Sequence, residues 1–137
     1  MHWLMQEVEA MDPEKTWSEV SLVIIGHVGI AAIHAAYLGS HQETDVISFA
    51  YPPAPPAVGG YTGEVIVNIE RVMEEGPRHR GVAWEWALYI AHGCQHLTGA
   101  EDHTPALKAR MRRVENRWLK KAAAMELIEP LHPRPRR

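Results

Sequence analysis

Cysteine is almost absent from this 137-residue chain: Cys94 is the only one. An internal disulfide is therefore excluded, as is a cysteine-rich zinc site, so any bound metal must be held by histidine and carboxylate. Long apolar runs are missing too. The stretch Ala83–Cys94 is interrupted by Glu85, His92 and Gly93, and no run reaches the ~20 residues that a transmembrane helix needs. The N-terminal residues MHWLMQEVEAMD lack the basic start and the continuous apolar segment of a signal peptide, which makes a cytoplasmic location the expectation. Cations are scarce over the first hundred residues, where four Lys and Arg face twelve Asp and Glu, a balance of −8. Residues 101–137 reverse this, with ten basic and five acidic residues and a balance of +5. The overall charge of −3 argues against a generally basic nucleic-acid binder. The C-terminal concentration of positive charge suits a phosphate-binding surface as well as a merely solvated helix face.

What is present describes one domain. The length suits a single core, and 46% hydrophobic residues is ordinary for a globular protein. No internal repeat is visible. The expected division is a domain over residues 1–128 and a Pro/Arg-rich basic tail over 129–137, expected to be disordered. Residues 2–10 read as a short helix. Val20–Ile25, continuously apolar and β-branched, reads as a strand buried on both faces. Val28–Tyr37 is alanine-rich and helical, with Gly39 as its C-terminal stop. Asp45–Tyr51 reads as a second strand, and Pro52–Gly60 as a loop. Gly63–Glu70 alternates, placing Val65, Val67 and Ile69 on one face, so a half-exposed strand that suits a sheet edge is expected. Residues 71–81 read as a helical turn passing into a loop. Thr104 and Pro105 suit the N-cap and N1 of a last helix, whose apolar stripe is Leu107, Met111, Val114, Trp118, Ala122 and Met125. The five tryptophans read mainly as core.

The chemistry concentrates in Ala91–His103, AHGCQHLTGAEDH. A helix over Val82–Thr98 has two stripes at spacings of three and four. One runs through Ala83, Ala87, Ile90, Cys94 and Leu97, the other through Glu85, Tyr89, His92 and His96. Cys94 lies about 200° around the helix from His92 and so is no fourth ligand. His92 and His96, at i and i+4, project side by side and can both reach one ion. The Gly99 turn reverses the chain and can return His103 to the pair. Three neutral imidazoles with an open fourth position make a catalytic rather than a structural zinc site. The bland alternative is one chance HxxxH pair among nine histidines. Gly93, which occupies the place of the glutamate in the HExxH peptidase motif, lets another backbone approach closely. Its presence argues against a metallopeptidase, whose general base would be missing.

These residues carry a resemblance. HGxxHLxG followed by Asp-His resembles the signature of the YbeY family of bacterial rRNA maturation factors. Thr44–Phe49, TDVISF, resembles that family's Thr-Asp-Val-Leu-Ser-Phe segment, and Gly63–Asn68, GEVIVN, its Gly-Asp-Ile-x-Ile strand, in the same order over about residues 18–125. The resemblance implies a single zincin-like α+β domain, with a small mixed sheet packed against helices and the ligand helix central. It implies one zinc ion held by His92, His96 and His103. With no HExxH glutamate the proton acceptor is the zinc-bound hydroxide, Asp102 or Glu101, and Asp102 joins the three histidines as a candidate catalytic residue. The resemblance further implies cleavage of single-stranded RNA in maturation of the 16S rRNA 3′ end and in ribosome quality control, with the small ribosomal subunit or its proteins as partners and no membrane. Arg78, Arg80, Lys108 and Arg112 are the candidate RNA-binding cations.

Two departures stand out. The Asp-His pair comes one residue late after Gly99, so Glu101 and Asp102 compete with His103 as third ligand. Asp102 could also orient a ligand histidine. Leu38 stands where the family has an arginine implicated in catalysis, with His41 the nearest substitute. A ribosome- or RNA-binding protein with a largely structural metal is the alternative that Leu38 favours.

Overall fold

The computed structural model describes residues 1–39, 44–53 and 59–128. Helix α1, His2–Met11, precedes strand β1, Trp17–Ile25, and helix α2, His27–Leu38. Strands β2, Val46–Tyr51, and β3, Tyr61–Asn68, follow, then α3, Ile69–Glu75, a single 3-10 turn at Gly76–Arg78, α4, Val82–Leu97, and α5, Pro105–Ala124. The class is α+β, as expected. His41, part of the proline-rich loop and the 129–137 tail lie outside the described residues.

The sheet runs β1-β3-β2, with β1 parallel and β2 antiparallel to β3. Successive side chains point to opposite faces, so each strand feeds two layers. Val65, Val67, Leu22 and Val46 join the main core formed with α1, α4 and α5. Ile66, Ile47, Val23 and Phe49 pack with Ile30 and Ile33 of α2 on the other face.

Two strand expectations are corrected by this topology. The alternating segment is the central strand and not an edge: Val65, Ile66 and Val67 are buried, and Asn68 is fully so. Its polar positions sit near the ends, and the small layer under α2 needs only Ile66 from it. The strand stops at Asn68 because that side chain caps α3, accepting from the Arg71 N–H at 3.2 Å, and Ile69 and Glu70 therefore belong to the helix. Conversely β1, read as buried on both faces, is an edge strand with Ile24 54% exposed. Its apolar run covers partly buried rather than fully buried positions.

Other elements follow their sequence signals closely. Gly39 ends α2 in the left-handed region at φ 78°. The Thr104 hydroxyl oxygen accepts from the Leu107 N–H at 3.1 Å with Pro105 behind it. Trp118 and Trp84 are buried, while Trp3, Trp17 and Trp86 pack partly buried against the main core. No helix among the described residues is long and apolar enough to cross a membrane.

Candidate metal centre

Helix α4 is walled by β2 and β3 on one side and by α1, α3 and α5 on others, so Glu85 and Tyr89 on its histidine stripe are buried as well as Ile90, Cys94 and Leu97. Gly93 sets the approach of the sheet. A Cβ there would stand 2.5 Å from Val65 Cγ1, 2.9 Å from Val46 Cγ2 and 3.1 Å from Ser48 Oγ. The Ser48 hydroxyl donates to the Gly93 carbonyl at 2.7 Å, which makes Ser48 a strut between strand and ligand helix. Cys94 is fully buried, and burial pushes its thiol up to about 12, which leaves it inert as a metal ligand.

The two histidines of α4 are each held through Nδ1. The Glu115 carboxylate, from the middle of α5, pairs with His92 Nδ1. The chain turns at Gly99, φ 88°, a left-handed geometry that glycine adopts freely. That turn carries the Ala100 carbonyl back to His96 Nδ1 at 2.9 Å. With both Nδ1 atoms engaged, the two Nε2 atoms face the same point, 3.0 Å apart. Asp102 Oδ2 completes the group, 3.6 Å from His92 Nε2 and 3.7 Å from His96 Nε2. A point equidistant from these three atoms lies about 2.0 Å from each, the length of a zinc–ligand bond. The donor set therefore fits one divalent ion, and the cluster is open to solvent, since Asp102, His92 and His96 keep 44%, 28% and 29% of their side chains exposed.

His103 is not in this group. Its side chain is two-thirds exposed, with Nδ1 3.2 Å from Glu101 Oε2. The extra residue after Gly99 shifts the register of the loop, and Asp102 occupies the position next to the histidine pair. Electrostatics around His92 follow from the same geometry. Burial pulls its imidazole pKa down, but the hydrogen bond and charge of Glu115, with Asp102 and Asp45, outweigh burial and hold it above the usual histidine value. Asp45, just before β2, is itself raised: burial pushes it up and Arg71 Nε, 3.4 Å away, only partly offsets that. Tyr89 is buried, and burial with Asp45 and Glu85 raises its phenol, which makes it a packing residue of the stripe.

The predicted cations divide. Lys108 and Arg112 are exposed on α5, seven and three residues before Glu115, on the same side of the helix as that carboxylate. Arg80 instead lies over the Trp84 ring at 3.6 Å, and Arg78 closes the 3-10 turn ahead of it. Trp84 and His92 are eight residues apart on α4, about 12 Å along the axis, which is where the ring under Arg80 stands relative to the ligands. Leu38, 55% exposed, opens on a groove of about 300 Å³ lined with His34, Thr44, Val46, Ser48 and His96.

The family of the chain is decided by its match to the sequence model of Endoribonuclease YbeY over residues 1–123. The chain belongs to the YbeY family. A YbeY endoribonuclease of Salinibacter ruber is 31% identical over 126 residues, covering 87% of this chain and 79% of the relative. One from Rhodopirellula baltica is 35% identical over 112 residues, with 80% and 53% covered, and one from Anaeromyxobacter is 32% identical over 99 residues, with 72% and 51% covered. The chain thus spans about half the length of these last two relatives. Glu115, which pairs with His92, is the one residue of this centre that local sequence spacing does not announce. The available signal was a lone carboxylate between the buried Val114 and Trp118, in a helix whose other charges are all basic.

Proposed function

We propose that this YbeY-family chain is a metal-dependent endoribonuclease acting on single-stranded RNA, with one zinc ion held by His92, His96 and Asp102. The observation that carries the reading is the convergence of two Nε2 atoms and one carboxylate oxygen, with both Nδ1 atoms already engaged. A divalent ion there supplies Lewis acidity toward a phosphodiester oxygen. Glu115 and the Ala100 carbonyl fix the imidazole tautomers so that Nε2 is the donor atom on both rings. Lys108 and Arg112 face the phosphate and balance the charge that builds on its oxygens. Lacking the HExxH glutamate, the site suits a phosphodiester better than a peptide. The donor set favours zinc but would also accept cobalt or nickel.

Maturation of the 16S rRNA 3′ end, ribosome quality control, a small-subunit partner and a cytoplasmic location belong to the same proposal, and rest on the family resemblance. The test is cleavage of single-stranded RNA by metal-loaded protein beside His96→Ala. Cleavage by wild type alone is expected, and equal cleavage by His96→Ala would overturn the mechanism. A second reading, an RNA-binding assembly factor with a structural metal, is favoured by Leu38, whose apolar side chain lines the groove beside His96. It predicts no cleavage by wild type and a gain in Leu38→Arg.

A further inference from the structure

Helix α5 carries seven Lys and Arg, and its one acidic residue, Glu115, is buried against His92. All seven cations are exposed, and among the described residues none of them forms an ion pair. At 100° per residue they fall into two groups. Lys108 and Arg112 lie within roughly 60° of Glu115, on the side of the helix that pairs with His92. Arg110, Arg113, Arg117, Lys120 and Lys121 lie roughly 120–160° away from it, on the outside of the helix. Within the outer group Arg113–Arg117 and Arg117–Lys121 are like-charge pairs at i,i+4, which weaken a helix. A merely solvated face would mix signs and relieve that repulsion. Among the described residues no acidic side chain does so, on a chain whose first hundred residues carry −8. The outer stripe extends over about 16 Å of helix axis, comparable to several successive phosphates of one strand. The helix itself, about 10 Å thick, separates the stripe from the ligand face, so the two groups cannot hold the same phosphate.

We propose that Arg110, Arg113, Arg117, Lys120 and Lys121 form a second RNA-binding surface, which grips the phosphodiester backbone of the substrate outside the segment that is cut. This surface deepens the endoribonuclease reading and rests on it for the identity of the polyanion. It gives affinity without sequence preference, since phosphate contacts carry no base information. It also gives long or structured RNA an advantage over a short strand that reaches only the metal groove.

The test compares wild type with Arg113→Gln/Arg117→Gln/Lys120→Gln, binding three RNAs over a range of salt: a short single strand, a long single strand, and a long strand with a flanking duplex. Metal-free protein serves for binding, and metal-loaded protein for cleavage of the short strand. The triple variant is expected to lose tenfold or more in affinity for at least one of the long RNAs, and its slope of log affinity against log salt is expected to fall by about 2, roughly 0.7 per phosphate contact on a single strand. Which long RNA loses more identifies the form that the stripe holds. Affinity for the short strand, its cleavage and metal binding should stay as in wild type, and an unchanged unfolding midpoint shows that the variant folds. Unchanged slopes on both long RNAs would overturn the proposal. Slopes that fall as expected in a protein that cuts no RNA would instead remove the nuclease reading and leave this surface standing.

Discussion

Replacing Glu115 with alanine is expected to weaken metal binding about 10- to 100-fold, the range associated with groups that orient a ligand imidazole, or roughly 1.4–2.7 kcal/mol. His92 can offer Nε2 to a metal only while Nδ1 carries the proton, and the buried Glu115 carboxylate is what accepts from Nδ1. Without it the ring can flip or change tautomer, and the carboxylate no longer enriches the electron density of the imidazole. Glu115→Gln keeps an acceptor oxygen and loses only the charge, so a loss of about tenfold or less is expected, near the lower end of that range. The assay is competition between metal-stripped protein and a chromophoric chelator. Glu115→Ala also strands a partly buried N–H, at a cost of about 1–3 kcal/mol in the metal-free fold, so circular dichroism at the assay temperature must show the variant folded. Wild-type affinity in folded Glu115→Ala would refute the orienting role. An equal loss in Gln and Ala would show that charge, not orientation, carries the effect.

Three further outcomes are expected. Gly93→Ala should destabilise the protein by about 1–3 kcal/mol or more by denaturant melting, because the new methyl would meet Val65, Val46 and Ser48 at 2.5–3.1 Å; an unchanged midpoint would contradict the close packing of α4 on the sheet. Asp45→Asn should raise stability at neutral pH. Burial lifts the folded pKa of Asp45 despite Arg71, so the ionised form opposes folding, and the gain should fade as pH drops through the folded pKa toward the carboxylate's ordinary value. A loss of stability at neutral pH would reverse the sign assigned here. The Cys94 thiol, fully buried and raised to about 12, should react with a thiol reagent only as fast as the protein opens, whereas rapid modification of native protein would contradict its placement in the core.

The ligand helix was the most legible part of the chain, because period, spacing and glycine all agreed. Gly93 was read as a point of close backbone approach, and the sheet does meet the helix there. The alternating strand misled because its polar residues sit near its ends, where alternation looks the same in a central strand as in an edge. The apolar run of β1 misled in the opposite sense, since continuous hydrophobicity records what could be buried and not what a partner layer covers. Which of three candidates stands beside the histidine pair was open for a different reason. A loop one residue longer offers Glu101, Asp102 and His103 at similar reach, and only the path fixed by the Ala100 carbonyl selects among them. Glu115 is separated from His92 by 23 positions, so no local spacing could pair them.

The central claim is that His92, His96 and Asp102 hold the metal. It is tested most directly by elemental analysis of untagged wild type, His96→Ala, Asp102→Ala and His103→Ala, each loaded with one divalent metal and passed through a desalting column. One equivalent is expected in wild type and in His103→Ala, and little or none in His96→Ala and Asp102→Ala. Metal retained by Asp102→Ala and lost from His103→Ala would contradict it.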